Sequence, residues 1–324
     1  MSANSLPRKH VIGILADNLR LRGSVMPLSG RRLTAWARGL HLPRGGDTVI
    51  YTGHMYQMMP ALGSLEAGLA LAAKLSLTRL MGLGRWVNRL VDLSTFMTWP
   101  SGREQREYDG RLRRIAKRLL AAKVTFGYLY EKELYTGALL YDLGAEEVFR
   151  SHAQKVWHLL KAQGVKRVIT VDPHTMDMLR EVYPRYCPDY RMEVVSYLEV
   201  LSQAEAPAAP NAGKMAKECV ALHDSCLYAR VLDVVEPPRR LLAQDRRPEA
   251  EHAQSRAATH CCGGPLESLF PDKAETVART RFAQLEQTGC KSVAAMCPIC
   301  LHNLRKAAAG KGIEVRDFSE VLDR

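Results

Sequence analysis

The sequence predicts an α/β protein made of two pseudo-repeated lobes, each a small, mainly parallel sheet flanked by helices, with functional loops at the strand ends. Three observations carry that prediction. Short β-rich runs alternate with amphipathic helical stretches, as parallel sheets with crossover helices require. The chain resembles itself at a fixed offset. Its 324 residues, 47% hydrophobic, exceed the ~100–200 residues usual for one domain.

In chain order, an N-terminal extension (1–46) precedes a first lobe at 47–201, which starts with the strand Thr48 to Thr52 (TVIYT). A helical insertion follows at about 60–123. Its latter part, GRLRRIAKRLLAAK (110–123), puts Leu112, Ile115, Leu119 and Leu120 on one face and arginines and lysines on the other. A surface helix packed on the sheet is the expectation, and a docking surface for an acidic partner the alternative. The first lobe continues with a helix Glu146 to Gln163 ended by Gly164, a strand Arg167 to Val171 and a strand Glu193 to Tyr197. SQAEAPAAPNAGK, spanning the 202–214 linker, has no periodic apolar face. The second lobe, 215–324, then offers strands Cys219 to His223, Ser292 to Met296 and Glu314 to Phe318, and a helix Lys273 to Gln287 ended by Gly289.

The repeat is visible when VKRVITVDPHTMDML (165–179) is placed over CKSVAAMCPICLHNL (290–304), a shift of 125 that aligns strand, turn, proline and helix. Asp172 then stands at Cys297 and Thr175 at Cys300, while Thr136 and Gly137 fall opposite Cys261 and Cys262. YTGHMYQ (51–57) aligns with HDSCLYA (223–229), so His54 faces Cys226. The first copy keeps the frame without the thiols.

Charge and compartment narrow the chemistry. The 46 Lys and Arg exceed the 34 Asp and Glu, for a net +12, which suits an acidic partner or an anionic cofactor. Few aromatics and no recognised binding module argue against nucleic acid. The N-terminus MSANSLPRKHVIGIL has no signal-peptide pattern, and no apolar run reaches the ~18 residues of a membrane span, so a cytoplasmic protein without a transmembrane segment is expected. There, clustered cysteines point to metal or redox chemistry rather than structural disulfides.

Five of the eight cysteines form a regular array: Cys226, adjacent Cys261 and Cys262, then Cys297 and Cys300 in CPIC. Each is expected at a strand end or turn, where loops converge in open α/β sheets. A zinc site would use Cys297 and Cys300, but adjacent Cys261 and Cys262 diverge and make a poor chelating pair, and five thiols exceed four ligands. A thioredoxin-like pair at Cys297 and Cys300 would leave three thiols unexplained. A polynuclear cluster accommodates diverging thiolates on different irons, and Gly263 and Gly264 permit a tight turn beside it.

HDSC, HCCGG and CPICLHNL, at these intervals, resemble the cysteine-rich CCG domain of heterodisulfide reductase B and D subunits, found also in subunits of anaerobic glycerol-3-phosphate, glycolate and lactate dehydrogenases. The resemblance implies one non-cubane [4Fe–4S] cluster on Cys226, Cys261, Cys262, Cys297 and Cys300. It also implies thiol or disulfide redox chemistry, possible only within a complex, or alternatively electron relay. The substrate would be a thiol or disulfide, free or protein-bound. The sequence carries no C-x2-C-x2-C-x3-C-P run, so a ferredoxin-type iron–sulfur subunit and a flavin-containing subunit are the implied partners.

Other residues near the array have quieter expectations. His223, Asp224 and His302 are candidate proton donors or supports of the ligands, or simple caps. Arg230 and Arg256 are candidates to offset cluster charge. His54 reads as a hydrogen-bonded pocket residue, Asp172 or Thr175 in VDPHT as a helix cap, and Cys187, Cys219 and Cys290 as inert core thiols. The GLG at Gly82 to Gly84 lacks the context of a dinucleotide loop.

Overall fold

A computed structural model describes residues 8–26, 28–62, 101–204, 218–265 and 270–322. Two four-stranded parallel sheets carry the architecture. The first comprises β1 (Thr48–Tyr51), β2 (Gly127–Tyr128), β3 (Arg167–Thr170) and β4 (Glu193–Ser196) in the order β2-β1-β3-β4. The second comprises β5 (Val220–His223), β6 (Glu249–Ala250), β7 (Ser292–Ala295) and β8 (Glu314–Asp317) in the order β6-β5-β7-β8. The orders are the same, so β1 corresponds to β5 and β3 to β7.

Register explains where the site falls. Thr48 pairs with Arg167 and Tyr51 with Thr170, while Val220 pairs with Ser292 and His223 with Ala295. In each lobe the two central strands therefore end side by side, and the loops after them leave from one sheet edge. β5 and β7 are buried along their whole length, as strands covered on both faces must be, which is why they read as short apolar runs without alternation.

The sequence does not predict the edge strands β2 and β6, because two residues leave no pattern. The expected strands also run one residue long at their C-terminal ends: Thr52, Val171, Tyr197, Met296 and Phe318 lead into the following turns and helices. The long crossover helices are Glu146–Ala162 and Pro271–Glu286, followed by Gly164 and Gly289 with φ of +69° and +75°, the left-handed conformation that ends helices.

The described part of the insertion is the helix Gly102–Ala121, capped by the Ser101 hydroxyl, which accepts the Glu104 N–H at 3.1 Å. Leu112, Ile115 and Leu119 are buried as expected, but Leu120 is 41% exposed, one residue off the stripe. The helix lies at the surface, as expected, with Arg103, Arg106 and Lys117 exposed, but part of its basic face is engaged within the chain. Arg111 is buried and its Nε–H donates to Glu320 at 2.9 Å, Arg118 donates to the Leu322 carbonyl, and Arg113 donates to the Trp36 carbonyl at 2.9 Å. The acidic partner is this chain's own C-terminal helix, Phe318–Leu322. The lobes are further joined by Tyr56, whose hydroxyl donates to Asp317 at 2.8 Å, and by the hydroxyls of Ser196 and Tyr228 at 3.1 Å. Gly82 to Gly84 and most of the expected linker lie outside the described residues.

Cys219 and Cys290, expected as separate inert thiols, are joined as a disulfide, with Cα atoms 5.3 Å apart. Pairing of Val220 with Ser292 sets the residues just ahead of β5 and β7 side by side. Cys187 is a buried free thiol, as expected.

Candidate metal centre

The five array cysteines all lie beyond the C-terminal ends of β5 and β7. Cys226 opens the helix Cys226–Arg230, Cys297 is the residue before the helix Pro298–Ala307, Cys300 sits in that helix's first turn, and Cys261 and Cys262 lie in the irregular stretch before the Gly263 turn. Their sulfurs gather together. Cys226 and Cys261 are 4.0 Å apart, Cys262 and Cys300 3.0 Å apart, and the ionisation of Cys261 and of Cys297 is influenced by the neighbouring Cys262 and Cys300 thiols. Adjacent Cys261 and Cys262 thus have different outer partners, as divergence of neighbouring side chains requires.

Ionisation is uneven along this row of sulfurs. The neighbouring Cys226 and Cys262 thiols, with the Gly263 N–H at 3.4 Å, hold the Cys261 thiol well below its ordinary value. Burial opposes ionisation of Cys297, yet hydrogen bonds from Cys300 and His174 outweigh it and hold this thiol well below its ordinary value. Cys226, Cys262 and Cys300 are pushed up by the neighbouring sulfurs and by burial. Thiolates at Cys261 and Cys297 are soft, charged donors of the type that iron–sulfur clusters use.

The turn after the pair has little freedom. Gly263 has φ of +90°, and a Cβ there would meet the Ala274 carbonyl oxygen at 2.4 Å. Only glycine fits this close approach of two backbones.

The supporting residues divide differently from expectation. Among the described residues, the ligand-type atoms of His223, Cys262 and Cys300 lie within 4.8 Å of one another. His223 is fully buried, and burial lowers its imidazole to about 3, so the ring is neutral. Asp224 binds Arg239 through both oxygens at 2.9 Å and accepts the Arg256 N–H at 2.7 Å, which makes it the organiser of the 251–259 loop rather than a proton donor. The Arg256 guanidinium is taken up by Glu251 and Glu236 and brings no unpaired charge to the sulfurs. Arg230 donates to the carbonyls of Ala257 and Thr259, fixing the approach to Cys261. His302 is half-buried on the Pro298–Ala307 helix and outside the sulfur group that contains His223.

Sequence reasoning misses two residues near the sulfurs. His174, which in the sequence is only a member of a cap motif, reaches from the first lobe to hydrogen-bond Cys297. Burial works against its protonation, but Cys297 and nearby Asp172 and Asp142 raise it to about 9. Arg281 is fully buried and donates to His223. Both carry a signal: His174 follows the Asp-Pro of the duplicated frame, and Arg281 interrupts the apolar stripe of Ala278, Phe282 and Leu285.

In the first lobe, four of the positions matching the thiols are the buried polar residues His54, Thr136, Asp172 and Thr175, and the fifth is Gly137. His54 is 2% exposed, lies 3.8 Å from Glu133, and is lowered to about 3 by burial. Asp172 caps the helix Pro173–Asp177 by accepting the Thr175 N–H at 2.9 Å, as the sequence predicts. Between the lobes, an apolar cleft of about 70 Å³ is lined by Met26, Met55, Met58 and Met59, with His174 and Asp142 as its polar groups. Pro265 of the cysteine turn and Ile299 of CPIC complete its wall.

Comparison with known proteins agrees with this geometry. Residues 220–305 match the cysteine-rich domain, CCG. The match spans β5 through most of the Pro298–Ala307 helix, and so includes all five array cysteines. Over 215 residues the chain is 29% identical to "Probable iron-sulfur-binding oxidoreductase FadF" of Bacillus subtilis (strain 168), covering 64% of this chain and 30% of that protein. It is 27% identical over 232 residues to "EtfAB:quinone oxidoreductase" of Syntrophomonas wolfei, covering 66% and 32%. It is 26% identical over 203 residues to the D-type subunit of the dihydromethanophenazine:CoB--CoM heterodisulfide reductase of Methanosarcina acetivorans, covering 60% and 50%. The chain thus spans about a third to a half of the length of these relatives. No helix among the described residues is long and apolar enough to cross a membrane.

Proposed function

We propose that this chain is an iron–sulfur oxidoreductase subunit of the heterodisulfide reductase-like type, with one non-cubane [4Fe–4S] cluster held by Cys226, Cys261, Cys262, Cys297 and Cys300. The observation that carries the reading is the gathering of these five thiols, with Cys226 and Cys261 4.0 Å apart and Cys262 and Cys300 3.0 Å apart. The donor set suits the group: five sulfurs, two of them thiolates, arrive from three loops, and the Gly263 turn leaves backbone but no side chain at its bend. When bound, such a cluster supplies one-electron transfer and iron sites that attract sulfur.

The residues around it suit thiol and disulfide chemistry. Reduction of a disulfide takes two electrons and two protons and releases two thiols. His174 stands between the apolar cleft and Cys297, where it orients a group entering from the cleft. The methionine lining adapts to an apolar, sulfur-bearing substrate through soft, polarizable contacts. Electrons come from a ferredoxin-type iron–sulfur partner and a flavin-containing partner, because this sequence carries no cubane-cluster run of its own.

Metal analysis of anaerobically purified protein tests the reading. About four irons with acid-labile sulfide per chain supports it, and one zinc without sulfide overturns it. Titration of the oxidised protein with thiols and disulfides, followed by electron paramagnetic resonance, separates the chemistry. A cluster signal unaffected by every thiol and disulfide favours electron relay to a partner, the function in keeping with the name EtfAB:quinone oxidoreductase.

A further inference from the structure

We propose that His223 is a hydrogen-bond donor to the sulfurs at Cys262 and Cys300 rather than a metal ligand, and that Arg281 is the positioning residue that makes it one. The inference rests on the reading of these cysteines as cluster ligands. Proximity alone suggests the opposite, since the imidazole and the two sulfurs gather within 4.8 Å, as three ligands of one ion would. The far side of the ring decides between the two.

Arg281 donates its Nε–H to Nδ1 of His223 at 3.1 Å. A guanidinium has only donors, so Nδ1 must present its lone pair. The single proton of the neutral imidazole then sits on Nε2. Among the described residues that atom is buried without a hydrogen-bond partner, in a ring grouped within 4.8 Å with the sulfurs of Cys262 and Cys300. Arg281 cannot swing away to permit the other tautomer, because it also donates to the Gln254 carbonyl at 2.6 Å and to Gln284 at 3.1 Å. A metal-bound histidine carries its proton on the non-ligating nitrogen and gives it to an acceptor. Here that proton would point head-on at the Arg281 N–H.

Donors aimed at cluster sulfurs stabilise the reduced form, and a buried guanidinium behind the donor acts in the same direction. His223→Leu and Arg281→Met are expected to keep the iron and sulfide content of the wild type and to lower the cluster's midpoint potential. Loss of one charge-assisted hydrogen bond corresponds to about a tenfold change in the reduced-to-oxidised ratio, about 59 mV for one electron. His223→Gln keeps an N–H at a similar reach and is expected to restore most of the shift.

Unchanged potentials in both His223→Leu and Arg281→Met at full iron content would overturn the proposal, as would loss of iron from His223→Gln. Nitrogen-15 NMR of the metal-free wild-type chain gives an independent readout that needs no variant to fold. It is expected to show His223 with its proton on Nε2, and a proton on Nδ1 overturns the assignment. Wild-type protein without iron and sulfide would instead sink the metal-centre reading, and the tautomer measurement would still stand on its own.

Discussion

Substitution of one glycine should separate the metal centre from the fold that carries it. Gly263 has φ of +90°, where a residue with a Cβ costs about 1–2 kcal/mol. In Gly263→Ala, the Cβ would also lie 2.4 Å from the Ala274 carbonyl oxygen, so the turn or the Pro271–Glu286 helix must yield by roughly 1 Å to restore ordinary contact. The turn directly follows Cys261 and Cys262, and metal–ligand distances tolerate only about 0.2 Å. Gly263→Ala is therefore expected to lose about 2–3 kcal/mol of stability and most of its iron. Gly53→Ala in the first lobe is the control: φ is +52° and its Cβ would meet the Thr175 hydroxyl at 2.1 Å, so it should cost comparable stability without affecting iron. Iron and sulfide per chain after anaerobic purification, with urea unfolding of both variants, measure the two effects. If Gly263→Ala keeps full iron while being destabilised as much as Gly53→Ala, the turn does not shape the centre.

The other predictions concern separate parts of the chain. Serine in place of any one of Cys226, Cys261, Cys262, Cys297 or Cys300 should lower iron content, whereas Cys187→Ala should leave it unchanged and cost about 1 kcal/mol; equal iron in all six variants would contradict the ligand set. Removing iron with a chelator under anaerobic conditions should lower the melting temperature of the wild type, since a group bound to the native state stabilises it by mass action; an unchanged melt would argue against a bound cluster. Burial raises Glu133 from 4.5 to about 8, so between these values the folded state keeps a proton that the unfolded state has released. Its contribution to stability is complete below pH 4.5 and is lost as pH rises through 8, so stability relative to Glu133→Gln should fall by roughly 2–3 kcal/mol from pH 6 to 9; parallel pH profiles in thermal melts would refute this. Tyr56→Phe leaves Asp317 without its partner across the lobes and should cost about 1–3 kcal/mol in urea unfolding; a cost near zero would mean that this bond does not join them.

What can be read from the sequence follows from the length scale of each signal. Six strands and both long crossover helices are legible because buried parallel strands and amphipathic helices imprint four or more residues with pattern, and the glycines at 164 and 289 mark the helix ends. β2 and β6 are not, because two residues imprint nothing. Convergence of Cys226 with Cys297 and Cys300 is legible from their place after β5 and β7, since parallel register fixes which loops meet, whereas Cys261 and Cys262 lie between β6 and β7. His174 and Arg281 are harder to find, because each acts on a partner far away in sequence, at Cys297 and His223. Arg256 misleads for the converse reason: it lies close to the cysteines in sequence, yet Glu236 and Glu251 claim its charge.

The repeated frame also explains why the first lobe is polar where the second is thiol-rich. Ending two parallel strands side by side leaves backbone N–H groups turned inward at the loop, and something must accept them. Glu133 does so in the first lobe: the Thr52 N–H donates to it at 3.1 Å, and the amides of Gly53 and His54 contribute as well. In the second lobe Asp224 turns instead toward Arg239 and the Arg256 amide, so the space beyond β5 is left to the sulfurs. A buried carboxyl raised to about 8 is neutral at pH 7 and closes the first pocket without charge, whereas the thiols of Cys261 and Cys297 in the second are shifted toward ionisation. The lobes are still not independent, because His174 leaves the first pocket to meet Cys297 and lines the methionine cleft on the way. One frame thus supplies a neutral polar pocket on one side and a sulfur site on the other, with His174 of the first lobe beside Cys297 of the second.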